Sequence, residues 1–102
     1  MVNWKLKQTN IFEREFKKII PKNLQEEVKK LIFKLTQNPY NSKPLGCKFF
    51  REKKIKKWRI YFLIYKKLLI IYFIEISDKK LQQKTINRIK SKFKLFKDKI
   101  EK

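Results

Sequence analysis

The chain has 102 residues, room for one domain and little more. Apolar residues make up 42% of it and aromatics 15%, which excludes disorder along its whole length. Its 29 basic and 9 acidic residues leave a formal net charge of +20. Solubility needs far less, and self-repulsion on this scale works against compaction, so a polyanionic partner is expected: RNA, DNA, an acidic protein or an anionic membrane.

In chain order, "VNWKLKQ" alternates apolar and polar, with Val2, Trp4 and Leu6 on one side, and reads as a half-buried strand over 1–8. Asn10 and Glu13 have capping-box spacing. Phe12, Phe16 and Ile19 then fall on one helical face, and Pro21 ends the segment. Asn23 and Glu26 repeat the spacing before Leu24, Val28, Leu31, Ile32 and Leu35, an amphipathic series. Two helices are therefore predicted within 10–36. "QNPYNSKPLG" holds two of the three prolines and the only glycine and reads as a turn-rich boundary.

The segment 48–77 is predicted to be sheet with a central hairpin. Lys48 to Ile55 reads as exposed and partly extended. Trp58–Tyr65 and Leu68–Ile76 are rich in Ile, Tyr and Phe and form the hairpin, joined through Lys66 and Lys67 in a register left open. Because both strands are apolar on both faces, they belong at the centre of the sheet under helices. Ile86, Ile89, Phe93, Phe96 and Ile100 make a 3,4-spaced seam on a C-terminal helix over 85–101, either docked on the sheet or awaiting a partner. The sum is a single α+β domain.

Several classes fall away. Arg59, Lys66, Lys67 and Glu75 interrupt the long apolar stretch, so no membrane span is expected. "MVNWKLKQTN" has no apolar core of a signal peptide, and the lone Cys47 cannot form an intrachain disulfide, which together point to the cytoplasm. With no histidine present, nothing obvious activates the Cys47 thiol. No metal site and no cofactor are expected, since the acids are scattered and one glycine cannot build a phosphate loop.

"FEREFKKIIPKNLQEEVKKLIFKLTQNP" resembles the two-helix opening of the RelE/ParE superfamily of toxin–antitoxin toxins. "KPLGCKFFREKKIKKWRIYFLIYKKLLIIYFIEISDKK" resembles its "KPL" turn, its "R-[VI]-x-[FY]" strand and the apolar strand that leads to a basic pair. "DKKLQQKTINRIKSKF" is similar to the HigB-like branch. The likeness runs from about Val2 to Phe93 and leaves out the final "KLFKDKIEK". It implies a small twisted antiparallel sheet with two N-terminal helices and a C-terminal helix. It also implies a cognate acidic antitoxin and, in many members, ribosome-dependent cleavage of mRNA; the ParE branch instead poisons DNA gyrase. A basic nucleic-acid-binding protein that merely shares the fold is the third reading.

Metal-free RNA cleavage needs groups that move protons and stabilise the charge on phosphorus. Arg51 and Arg59, two of only four arginines, are the candidates for gripping phosphate, because a guanidinium does so with two donors. A salt bridge from Arg59 to Glu75 is the competing structural role. Lys79 and Lys80 match the family's basic pair and join the catalytic candidates. Lys53, Lys54, Lys56 and Lys57 are the candidates for the RNA backbone. Tyr61, Tyr65 and Tyr72 could stack on bases, with Tyr65 the candidate retained. A lysine with a depressed pKa would have to act as base, because the sequence has neither histidine nor a tyrosine near its C-terminus.

Overall fold

A computed structural model describes residues 4–101. Its elements run β1 (Lys5–Gln8), α1 (Asn10–Lys18), α2 (Lys22–Gln37), β2 (Lys43–Pro44), β3 (Phe50–Ile55), β4 (Trp58–Tyr65), β5 (Ile70–Asp78), α3 (Gln82–Lys90) and α4 (Phe93–Glu101). The strands form one sheet in the order β1-β5-β4-β3-β2.

The sheet is mixed, which corrects the all-antiparallel expectation. β1 lies parallel to β5, from Lys5 opposite Ile70 to Gln8 opposite Phe73, while every other pair is antiparallel. Parallel neighbours need a long connection, and everything from α1 to β4 supplies it. β1 is an edge strand, and its four side chains are all exposed, against the half-buried reading. Val2 lies outside the described residues. Trp4 is partly buried and meets the edge of the Tyr40 ring at 6.2 Å.

α1 is capped one residue earlier than its sequence suggests. The Thr9 hydroxyl accepts from the Phe12 amide (2.9 Å) and donates to the Ile74 carbonyl (2.6 Å), which ties the helix start to β5. α2 begins directly after Pro21 without a side-chain cap, so the Asn23 box does not form. Gln25 instead reaches back to the Ile20 carbonyl (3.1 Å) and joins the two helices.

Two cores sandwich the sheet. Phe12, Ile20, Val28 and Leu35 of α1, α2 and their junction pack on Ile60, Phe62, Ile64, Ile71, Phe73 and Ile76. Ile86, Ile89 and Phe96 pack on Phe50, Tyr61, Leu63, Tyr72 and Ile74 on the opposite face. This is why β4 and β5 read as continuous apolar runs: each face has its own helical layer. The C-terminal seam therefore docks on its own sheet. It is carried by two helices rather than one, because the chain turns at Ser91 and Lys92, where the Ser91 hydroxyl donates to the Arg88 carbonyl (2.7 Å). The turn sets Phe93 edge-on against Phe50 at 5.3 Å.

The segment read as exposed is β3, and Phe50, Arg51 and Glu52 in it are buried. A two-residue turn, Lys56–Lys57, leads straight from β3 into β4, and Lys56 takes a left-handed φ of 54°. β4 and β5 are joined by a 3-10 turn over Lys66–Leu68 and by Leu69, also at φ 54°. Their register shifts between Tyr61 and Phe62, leaving Ile74 without a partner on β4.

Candidate nucleic-acid interface

The β3–β4 register sets Lys54 directly opposite Arg59 and Glu52 opposite Tyr61. Cross-strand partners share a face, so Glu52, Lys54, Arg59 and Tyr61 project from the side that carries α3 and α4. Two cations face each other at Lys54 and Arg59, an arrangement that destabilises the empty protein and favours an anion between them. An open groove forms here. Glu52, Lys53, Lys54 and Arg59 come from the hairpin, Gln82 from α3, and Asn41, Ser42 and Lys43 from the run into β2.

Arg59 is 8% exposed and its charge is only loosely met. Its Nε lies 3.9 Å from Glu52 Oε1, longer than a charge-assisted hydrogen bond, and one terminal nitrogen donates to the Lys57 carbonyl (3.3 Å). Among the described residues the other terminal nitrogen makes no hydrogen bond. The pairing of Arg59 with Glu75 does not form. Ser77 stands opposite Arg59, and Glu75 is held by Arg88 of α3 through a closed fork of 3.0 and 2.6 Å.

Arg51 is not brought to the groove. It lies opposite Phe62 on the other face, and its guanidinium donates to Ser42 Oγ (3.0 Å) and to the carbonyls of Tyr40 (3.0 Å), Ser42 (2.6 Å) and Lys48 (3.3 Å). It also covers the Tyr40 ring at 5.4 Å. With four N–H groups so used, Arg51 anchors the 40–48 loop to β3.

Lys53 Nζ donates to the Asn41 carbonyl (3.0 Å) at the groove wall. Lys56 and Lys57 stand on the adjoining turn, with Lys57 Nζ 4.8 Å from the centre of the Trp58 ring. Lys79 and Lys80 are exposed in the turn that leads from β5 to α3, outside the groove lining. Tyr65 is placed at the far end of β4, roughly 20 Å along the strand from Arg59. Tyr61 and Tyr72 are buried, which leaves neither ring open to a base. Burial pushes the Tyr61 phenol up to about 12 and also raises those of Tyr65 and Tyr72, so none is suited to exchanging protons near neutrality.

Sequence reasoning missed Glu52 and Gln82. Glu52 is 5% exposed, and its Oε1 accepts from Gln82 Nε2 at 2.7 Å. Among the described residues it is the one acid lining the groove. The alternation Phe50, Glu52, Lys54 would have disclosed it once the tight turn was located at Lys56–Lys57, since that turn alone fixes what faces Arg59. Among the described residues no cluster of three His, Cys, Asp or Glu side chains is placed to hold a metal ion. Among those residues too, no helix is long and apolar enough to cross a membrane.

The sequence matches no protein-family model and no curated protein. Its fold is similar to solved structures. The chain aligns with the RelBE2 toxin–antitoxin complex of Mycobacterium tuberculosis at TM-score 0.67 and 17% identity, covering 76% of this chain and 100% of that one. A doubly substituted RelE toxin of E. coli in the free state aligns at TM-score 0.69 and 15% identity, covering 85% and 98%. The archaeal RelE–RelB complex of Pyrococcus horikoshii aligns at 0.65 and 13%, covering 78% and 97%. The chain has the α+β fold of these RelE structures.

Proposed function

We propose that this chain is the toxin of a type II toxin–antitoxin system and cuts mRNA on the ribosome without a metal. One observation carries the reading: in a RelE fold, a nearly buried arginine with an open fork faces a groove walled by Lys43, Lys53 and Lys54, with a single carboxylate beside it. That set of groups suits attack by a ribose 2′-hydroxyl on the adjacent phosphate. Glu52 takes the hydroxyl proton, the new O–P bond forms, and Arg59 with the flanking ammoniums holds the charge that builds on phosphorus. The bond to the 5′-oxygen then breaks, and that oxygen takes a proton from Lys54. The products are a 2′,3′-cyclic phosphate and a 5′-hydroxyl end.

Lys56, Lys57, Lys79 and Lys80 surround this chemistry as backbone contacts that draw the polyanion in. Arg51 leaves the catalytic set and keeps its anchoring role. A cognate acidic antitoxin is the expected protein partner, and association with it should slow as salt is added, because complementary charge drives the encounter.

The test is cleavage of mRNA on programmed ribosomes, with the ends of the fragments identified. Arg59→Lys keeps the charge but loses the planar fork, and should cut at least about a hundredfold more slowly. Glu52→Gln keeps its shape and its contact with Gln82, and should lose about 10²-fold or more. Lys56→Ala should weaken RNA binding modestly and make its salt dependence shallower. Fragments with 5′-phosphate ends, or an Arg59→Lys protein that folds and cuts like the parent, rule the mechanism out. An intact message with altered DNA supercoiling after induction transfers the reading to gyrase.

A further inference from the structure

Glu52, Tyr61 and Glu75 stand in one row across β3, β4 and β5, on the face that carries α3 and α4. Two nearly buried carboxylates thus lie under the same helical layer. α3 reaches both. Gln82, its first residue, donates from Nε2 to Glu52 Oε1 at 2.7 Å. Arg88, further along the same helix, closes its fork on Glu75 at 2.6 and 3.0 Å. From Gln82 to Arg88 a helix rises about 9 Å, and two strand spacings span about 9.6 Å. α3 therefore crosses the strands with one polar side chain over each acid. The two acids receive different donors. A guanidinium cancels the charge of Glu75, whereas the neutral amide of Gln82 binds Glu52 and leaves its charge in place. The amide can face only one way, because a carboxylate accepts and the nitrogen is the donor.

Arg59 is where this difference matters. Its Nε stands 3.9 Å from the same Oε1, and the side chains of Arg59 and Glu52 are only 9% and 6% exposed. Opposite charges so close and so dry are expected to draw together until both prongs bond, as Arg88 and Glu75 do. Here Gln82 already holds Oε1 at hydrogen-bond length, and Arg59 stops short of it. Among the described residues Glu52 Oε2 accepts no hydrogen bond, and one terminal nitrogen of Arg59 donates none. A closed Arg59–Glu52 pair would take up both of these free positions. Neither group would then be open to a third.

We propose that Gln82 is a positioning residue of the groove: by binding Glu52 it keeps Arg59 from closing on that carboxylate, so both charged groups stay open to a substrate. On the nuclease reading, on which the choice of RNA as that substrate rests, Gln82 keeps the proton acceptor and the phosphate grip apart until the ribose and phosphate enter between them. Gln82 itself touches neither. It acts through Glu52 and Arg59.

The experiment follows the arginine side chains of the full chain by NMR, without RNA. A guanidinium held by both prongs rotates slowly about its Nε–Cζ bond and shows separate Nη signals; Arg88 provides that reference in the same molecule. Arg59 should show averaged Nη signals in the parent. Gln82→Met keeps the length of the side chain and removes the donor, and there Arg59 should acquire the separate signals of a closed pair. Glu52→Gln/Gln82→Met takes away the charge on which Arg59 closes, so averaged signals should return. A merely structural disturbance at position 82 would persist in that double variant. Gln82 is half-buried at a helix start and methionine is a good helix former, so the variants should fold. On programmed ribosomes at saturating protein, Gln82→Met should cut about tenfold more slowly or worse. Separate Arg59 signals in the parent, a test that needs no variant, overturn the assignment. So do averaged signals in Gln82→Met, separate ones in the double variant, or Gln82→Met cutting at the parent's rate. A parent that leaves mRNA intact while Arg59 still closes in Gln82→Met supports the positioning role and overturns the nuclease reading alone.

Discussion

Replacing Arg88 with methionine should destabilise the protein more than any other surface-reaching substitution. Glu75 is 5% exposed, and both its oxygens are taken by the Arg88 fork at 2.6 and 3.0 Å. Breaking a buried pair typically costs about 3–5 kcal/mol, because one charge is stranded. The Arg88 side chain is 41% exposed, so water reaches one end of the pair and the lower limit applies, about 3 kcal/mol. At roughly 2.1 cal/mol/K per residue, a chain of this length has an unfolding entropy of about 0.2 kcal/mol/K. Tm should therefore fall by about 14 °C. The assay is thermal and urea unfolding followed by circular dichroism, carried through a cycle with Glu75→Gln. The double variant should recover most of the loss, since it removes the stranded charge. Arg88→Met within about 0.5 kcal/mol of the parent, or a double variant no better than the single, would refute the reasoning.

Two further outcomes concern stability. Lys56→Gly should relieve the left-handed turn residue and add about 1 kcal/mol, or roughly 5 °C in Tm; a drop in Tm would show that the lysine side chain matters more than the backbone. Burial pushes the Glu15 carboxyl up to about 7, an effect opposed by its hydrogen bond from the Ile76 amide and added to by the Glu75 charge. The folded state thus holds this proton more tightly than the unfolded chain does. Stability should fall as pH rises from about 4.5 to 7 and then level off, and Glu15→Gln should remove that slope in urea titrations at pH 5 and 8.

The elements that local pattern dictates were legible in the sequence. α1 and α2 follow from apolar spacing, and β4 and β5 from β-branched and aromatic runs that leave no polar face. What depends on pairing between distant segments was not. β3 reads as surface because its buried half, Phe50 to Glu52, precedes the lysine pair Lys53–Lys54, half-buried and exposed in turn. Arg51 and Arg59 look alike in one dimension. Strand parity sends the first to the loop anchor and the second to the groove. Arg59 was matched to Glu75 because the two strands are neighbours, but the shifted register and the approach of α3 give Glu75 to Arg88. Glu52 escaped notice for the same reason that it matters: it is a lone acid in a basic run, and only the hairpin register shows which cation it faces.

β1 has a consequence for how the molecule behaves in a crowded solution. It contributes only four residues, and they pair with Ile70–Phe73, the first half of β5, whose Ile70–Ile76 stretch is the kind of segment that pairs with copies of itself. The outer edge that β1 offers in exchange is short and carries Lys5 and Lys7, which repel a second edge. The Thr9–Ile74 hydrogen bond that secures it links residues 65 positions apart, a closure that costs more chain entropy than the local β4–β5 hairpin, so this cover is expected to join after that hairpin. Until then the stickiest strand in the protein lies open on one side. A chain deprived of residues 1–8 would keep that exposure permanently, and its fate would be set by concentration rather than by folding stability.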